Sequence, residues 1–254
     1  MRRTLIALFA LALASLAQTA PAKTAPATPE TQEEKTPFVR RFSIGGRLSF
    51  SALGGVSGGD HERNLTAGPT LIQSTSEGKS VLAGGGVAVQ FAVRDRYAVS
   101  LDLFRRKVGY HLTTTTYVGT DNASTATDER TGSTTSEQTR ASSWEIPILI
   151  RRYNIGRFEE GPRWFWEAGP SIRRTGGVVT FTETGDECCL QAPPKLAGRY
   201  SPGITIGVGG QLADDYGVKI VPEIRYTRWL NRPFGTIPAR SQAHQLEILI
   251  GVTF

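Results

Sequence analysis

Residues 246–254 read Leu-Glu-Ile-Leu-Ile-Gly-Val-Thr-Phe. Leu246, Ile248, Ile250, Val252 and Phe254 occupy every second position, with Glu247 and Thr253 between them. An alternation of period two is the signature of a β-strand with one apolar face. The row ends on an aromatic residue at the last position of the chain.

Seven further segments upstream repeat the pattern. Phe42, Ile44, Leu48 and Phe50 alternate with Arg47 and its neighbours, and Val81 to Val93 form a second segment. Tyr97, Val99, Leu101 and Leu103 flank Asp102, and Trp144, Ile146, Ile148 and Ile150 alternate with Glu145 and Arg151. Trp164, Trp166, Ala168 and Ile172 face away from Glu167 and Arg173. Ile204, Ile206, Val208 and Leu212 form a sixth segment. In the seventh, Ile220, Ile224 and Tyr226 oppose Lys219, Glu223 and Arg225. Long connections (53–79, 119–139, about twenty residues around Gly185, and 231–241) take turns with short ones at Arg94-Asp95, 154–162 and 213–215. That is the rhythm of an up-and-down barrel whose long loops share one end.

The side of the strands that carries charge separates a membrane barrel from a soluble lipocalin-like one. The polar face holds Arg47, Arg151, Arg173, Lys219 and Arg225 against Asp102, Glu145, Glu167, Glu223 and Glu247, a balanced set able to pair across a lumen, with Arg106 set aside as a rim residue. Aromatics fall at two levels. Phe42, Phe91, Tyr97, Trp164, Trp166, Tyr216 and Phe254 lie toward the short turns, and Phe50, Trp144, Tyr226 and Trp229 toward the long loops. Two girdles separated by aliphatics are the mark of a membrane barrel. The prediction is an all-β protein: an eight-stranded antiparallel up-and-down transmembrane β-barrel over residues 38–254.

The N-terminus adds a compartment. Arg2 and Arg3 precede a twelve-residue apolar stretch, Leu5–Leu16, and Ser15-Leu16-Ala17 supplies small residues for cleavage after Ala17. This is the layout of a secretory signal peptide (1–17), with a stretch too short to span a bilayer as a helix. No lipobox cysteine follows it. Residues 18–37, rich in Pro, Ala, Thr and Glu without period, read as a disordered linker.

Composition sets outer bounds. Across 254 residues the apolar class is 39% and charged residues 20%, with a mean hydropathy of −0.21, which excludes a bundle of transmembrane helices. Two cysteines exclude a disulfide scaffold and, with three histidines, argue against a Cys/His zinc site. Loss of Arg2 and Arg3 with the leader takes Lys+Arg from 29 to 27 against 23 Asp+Glu, a net +4, too small and dispersed to imply nucleic acid.

Trp144-Glu145-Ile146-Pro147 running into Ile148–Tyr153, Trp166-Glu167-Ala168-Gly169-Pro170, and Val221-Pro222-Glu223-Ile224-Arg225-Tyr226 resemble the small outer-membrane β-barrel family that includes PorT-like and OmpX/OmpA-like domains. The alternation ending at Phe254 resembles the β-signal read by the barrel assembly machinery. The resemblance implies an integral protein of the bacterial outer membrane, with membrane lipid and that machinery as partners. It implies no shared activity.

With eight strands, side chains fill the lumen and no wide channel remains, so the ten charged residues are expected to form a packed network. The long loops are the expected working parts, for adhesion, envelope stability or binding of a protein or surface ligand. Two other readings compete: a barrel-type lipid-modifying enzyme and a soluble periplasmic lipocalin-like carrier. Ser241, His244 and His111 are the enzyme's candidate side chains, but no orienting acid accompanies them, and the chain departs from the His-Ser pattern of lipid A deacylases. Asp60-His61-Glu62 reads as a flexible loop rather than a metal site. Cys188-Cys189 in an outer loop leaves a strained ring, free thiols or an intermolecular bridge open. Thr113–Thr139 reads as a mobile surface loop. Pro147, Pro170, Pro202 and Pro222 inside strands predict bulges or strand ends. No catalytic residue, metal ligand or cofactor is assigned.

Overall fold

A computed structural model describes residues 41–65, 70–78, 83–119, 130–159, 161–184, 187–191, 196–213, 218–235 and 239–254. The predicted leader and linker, and Val81, Asp214, Asp215 and Tyr216, lie outside them. The described strands are β1 (Phe42–Leu53), β2 (Val56–Ser57), β3 (Gly59–Leu65), β4 (Thr70–Gly78), β5 (Ala83–Arg94), β6 (Tyr97–Val118), β7 (Thr131–Tyr153), β8 (Arg163–Thr184), β9 (Glu187–Gln191), β10 (Tyr200–Ala213), β11 (Lys219–Trp229), β12 (Arg240–Ser241) and β13 (His244–Thr253).

Eight of these close on themselves. Neighbours run β6-β5-β1-β13-β11-β10-β8-β7, and β7 pairs back to β6. Every pairing is antiparallel. The first and last staves meet along Gly45↔Thr253 to Phe50↔Ile248, and the amide of Ile44 and the amide of Phe254 each donate to the other's carbonyl, at 3.3 and 3.0 Å. Gly45 permits that seam. A Cβ there would stand 1.9 Å from the Val252 carbonyl oxygen.

The alternation read from the sequence sorts the side chains by face. Ile44, Leu48, Leu101, Ile148, Ile150, Ile204, Ile206, Ile224 and Ile250 are exposed on the outside, and Trp164, Trp166, Phe42 and Tyr97 are exposed toward the short turns. Arg47, Asp102, Glu145, Arg151, Glu167, Arg173, Glu223, Arg225 and Glu247 are buried within. A soluble barrel has the reverse arrangement, since its apolar face must leave water. An apolar coat over a charged interior is stable only where hydrocarbon surrounds the barrel.

Four details differ from the sequence reading. Trp229 is not in the outer girdle; it shares the inward parity of Glu223 and Arg225 and is buried. Pro147 and Pro170 sit at neither bulges nor strand ends: the ladder skips from Leu101↔Ile148 to Phe104↔Glu145 and from Pro147↔Ser171 to Ile150↔Ala168. The missing proline donors leave local gaps rather than an extra residue. Pro202 and Pro222 keep their pairings with Ile172 and Ile250. The bulges fall instead near Ser51–Leu53, Ala92–Arg94 and Arg140–Ser142.

The largest departure is in the predicted loops. β6, β7 and β8 are 22, 23 and 22 residues long, about twice the ~9–11 residues that cross a bilayer. Thr113–Val118 pairs residue by residue with Thr131–Ser136, so these two parts of the predicted Thr113–Thr139 loop are regular strand, while residues 120–129 lie outside the described residues. Asp60, His61 and Glu62 lie in β3, paired with Thr75, Ser74 and Gln73 of β4. Cys188 and Cys189 lie in β9, opposite Glu183 and Thr182. With β4 on β6 and β9 on β8, the extension is a sheet of order β3-β4-β6-β7-β8-β9. Threonine's branched Cβ favours the extended backbone without requiring an apolar partner. A search for apolar alternation therefore passes over it.

Candidate functional site

The lumen is built from inward positions of all eight staves. Arg47, Arg151 and Arg225 meet Asp102, Glu167 and Glu223 in its lower layer. Arg47 Nη1 donates to Asp102 Oδ2 at 3.0 Å and Glu223 Oε2 at 3.1 Å. Arg151 donates to Glu167 Oε2 at 2.6 Å and Glu223 Oε2 at 2.9 Å. Arg225 reaches Glu167 Oε1 and Asp102 Oδ2, each at 2.6 Å, and also pairs with Glu223. Three cations and three carboxylates cancel, which is what burial of charge demands. Ser100 donates to Asp102 at 3.0 Å, and Gln90 accepts from Arg151 at 3.1 Å while donating to Tyr153 at 2.8 Å.

A second layer lies toward the long strands. Arg106 pairs with Glu145 at 3.0 Å and with Glu247, and donates to Ser51 at 2.7 Å. Gln245 bridges the two carboxylates, at 3.0 Å from Glu145 and 2.5 Å from Glu247, and accepts from Trp229 Nε1 at 2.8 Å. Arg106 is thus buried inside, not at the rim; it shares the inward parity of Asp102 and Phe104. Arg173 packs its guanidinium 4.3 Å from the centre of the Trp229 ring. Lys219 stands apart from both layers and donates to Ser43 at 3.4 Å, near the short turns.

The lumen also holds inward aromatics that the predicted charged set does not include. Phe165 lies under Arg151 at 4.3 Å, Tyr153 under Arg163 at 3.7 Å, and Phe104 beside Arg106 at 5.7 Å. Phe104 and Phe165 each sit one place out of phase with the outward rows, and that parity is the signal that marks them. Space for these groups comes from β10. Its inward residues are Ser201, Gly203, Thr205, Gly207 and Gly209, and a Cβ on Gly209 would stand 2.6 Å from the Phe165 ring.

Above the second layer the mouth is covered. Val56, Tyr110, Ala141, Phe234 and Ala239 form a buried apolar cluster, with Tyr110 and Phe234 edge to face at 5.7 Å. β12 pairs with β2, and Phe234 and Ser241 exchange hydrogen bonds: the Phe234 amide donates to Ser241 Oγ at 3.1 Å and the Ser241 amide to the Phe234 carbonyl at 3.0 Å. Of the segment after β11, predicted as an outer loop, Pro233, Phe234 and Ser241 line a small cavity with Ser143 and Arg173.

This geometry separates Ser241 from His244. Ser241 is buried on the inside, whereas His244 is on the outer face, its Nδ1 2.5 Å from the Tyr226 hydroxyl. His111 lies on the extension near Thr113 and Ser136, at 3.5 and 3.4 Å. Among the described residues no three His, Cys, Asp or Glu side chains gather as metal ligands.

The pairing and burial define the class: an integral, eight-stranded β-barrel of the outer-membrane type, with a lumen filled by ion pairs. Solved structures of this kind share its general likeness. The outer membrane protein OprG from Pseudomonas aeruginosa is 10% identical, over 84% of this chain and 93% of that one, with a TM-score of 0.47. Neisserial surface protein A (NspA) is 11% identical over 84% and 96%, with a TM-score of 0.35. Ail, the attachment invasion locus protein of Yersinia pestis, is 10% identical over 84% and 96%, with a TM-score of 0.29. No family model and no curated protein matches the sequence. The assignment of the fold rests on the geometry described above.

Proposed function

We propose that the protein is a non-enzymatic barrel of the bacterial outer membrane that holds an extramembrane sheet at the cell surface for contact with a partner or surface. The observation that carries this is the length of β6, β7 and β8, which continue as a paired polar sheet beyond any bilayer. Ser74, Thr114, Thr135 and Thr184 form one row across four strands, with hydroxyl contacts of 3.4 Å at either end. Such a surface offers many hydrogen-bonding groups on a rigid frame. The filled lumen and covered mouth support a holding role rather than a conducting one, and the opposite facing of Ser241 and His244 gives no support to lipid hydrolysis.

The reading includes export by a leader ending at Ala17, a linker over 18–37, and assembly through the outward row of β13 (Leu246, Ile248, Ile250, Val252 and Phe254). The PorT-like membership belongs to the same proposal and rests on the segments around Trp144, Trp166 and Val221. Cells carrying the full protein, and a version with residues 111–138 replaced by a short turn, are compared for adhesion to surfaces and capture of envelope partners. Loss of binding with retained heat-modifiable migration is the expected result. Equal binding by the trimmed barrel would overturn the contact role.

A further inference from the structure

On the outer face of the barrel, charge is distributed by sign. Asp102, Glu145, Glu167, Glu223 and Glu247 all point inward. On the staves themselves, Arg105, Lys107, Arg140, Arg174 and Arg228 face outward at the long-strand end, all exposed. Most follow an outward apolar or aromatic residue of the barrel: Leu103 then Arg105 and Lys107, Ile172 then Arg174, Tyr226 then Arg228, and on the descending β7, Arg140 just ahead of Ser142 and Trp144; on β8, Val179 and Phe181 lie further out than Arg174 and are also exposed. The outward carboxylates stand further out on the extension: Glu183 on β8, Glu77 on β4 opposite His111, and Asp60 and Glu62 on β3.

Four of the cations form one patch. Arg105 pairs across to Trp144, and Trp144 to Arg174, so the two arginines flank the indole on adjacent strands. The Arg105 guanidinium lies 5.5 Å from the Trp144 ring centre. Lys107 stands one outward place above Arg105, and Arg140 pairs with Gly109 one further place up. Arg140 donates to the neutral Gln138 at 2.9 Å, and no carboxylate pairs with any of the four among the described residues. Strand spacing puts Arg105 and Arg174 about 10 Å apart. The aromatic anchors the patch at the hydrocarbon boundary and the cations reach into the headgroup layer.

We infer that Arg105, Lys107, Arg140 and Arg174 around Trp144 bind the phosphate groups of a phosphorylated lipid in the leaflet at the long-strand end. The charge is complementary to phosphate, the guanidinium forks suit its oxygens, and the patch continues the apolar belt that the acyl chains of the same lipid cover. This inference rests on the membrane reading above.

The test uses the full mature chain folded in uncharged detergent, with native mass spectrometry as readout. The probes are bis-phosphorylated lipid A, the same lipid dephosphorylated, and inorganic phosphate. Each cation near a charged lipid surface contributes about a factor of five, so Arg105→Ser/Lys107→Ser/Arg174→Ser should bind the phosphorylated lipid roughly 100-fold more weakly. Arg152→Ser, at the other end of the barrel, should leave it unchanged. If the triple variant does not fold, Arg174→Ser alone should weaken binding about fivefold. Equal binding of the dephosphorylated lipid, undiminished binding by the variants, or equally tight binding of inorganic phosphate would overturn the inference. Heat-modifiable migration of the same samples reports on the barrel itself, so a failed lipid site and a failed membrane reading give different results.

Discussion

Glu223 sits between three guanidinium groups, those of Arg47, Arg151 and Arg225. Replacing it with Gln keeps the shape but leaves one buried positive charge uncompensated, which costs about 3–5 kcal/mol. Denaturant unfolding of the inserted barrel should show a drop of that size. Glu159→Gln should cost about 0–1 kcal/mol, because Glu159 pairs with Arg96 where both side chains are half exposed. Removing Arg151 and Glu167 together, as Met and Met, should cost less than the sum of the single changes, since neither is then left unpaired. The charged set was legible in the sequence because the residues share a parity within each strand. Arg106 follows the same parity, but it lies past the end of the Tyr97–Leu103 alternation, where periodicity reads a rim. The partners were not legible: which carboxylate meets which guanidinium depends on closure, and Arg47 and Glu223 are 176 positions apart.

β10 shows how an element is fitted to its neighbours. Its outward row is Ile204, Ile206 and Val208, which alternation identifies. Its inward glycines have no meaning until Phe165 and Trp229 are placed against them. Gly209→Ala would bring a methyl within 2.8 Å of the Pro222 carbonyl as well as into the Phe165 ring. Overpacking of this kind costs about 1–3 kcal/mol, and the same unfolding measurement should show it. Gly46→Ala, on the outer face with open space around it, should cost less than about 1 kcal/mol. The extension of β6 and β7 illustrates the opposite case. Thr113–Thr116 contains no apolar–polar alternation, so periodicity gives no strand there, although its β-branched side chains favour one. The register Thr113↔Ser136 to Val118↔Thr131 predicts slow amide hydrogen exchange in these paired segments. Exchange as fast as in an unstructured chain would contradict it.

At the scale of the molecule, the polar interior and apolar exterior invert the arrangement of a water-soluble barrel. Averaging hides this from composition, since a mean hydropathy of −0.21 combines a lipid-facing coat with charged lumen and hydroxyl-rich extension. Two ion-pair layers and the apolar cover over Arg173 predict that the reconstituted protein does not conduct ions as an open pore. Planar-bilayer recordings should stay at baseline, and steady channel currents would contradict the filled lumen.

The chain's four tryptophans test the inversion directly. Trp144, Trp164 and Trp166 point outward, and Trp229 is buried inside. Single-tryptophan versions, each keeping one indole and carrying Phe at the other three, are folded into vesicles whose acyl chains carry bromine, a contact quencher of indole fluorescence. Strong quenching of Trp164 and Trp166, weaker quenching of Trp144 at the boundary and none of Trp229 is the predicted result. Quenching of Trp229 with Trp164 and Trp166 untouched would contradict the barrel's orientation toward lipid.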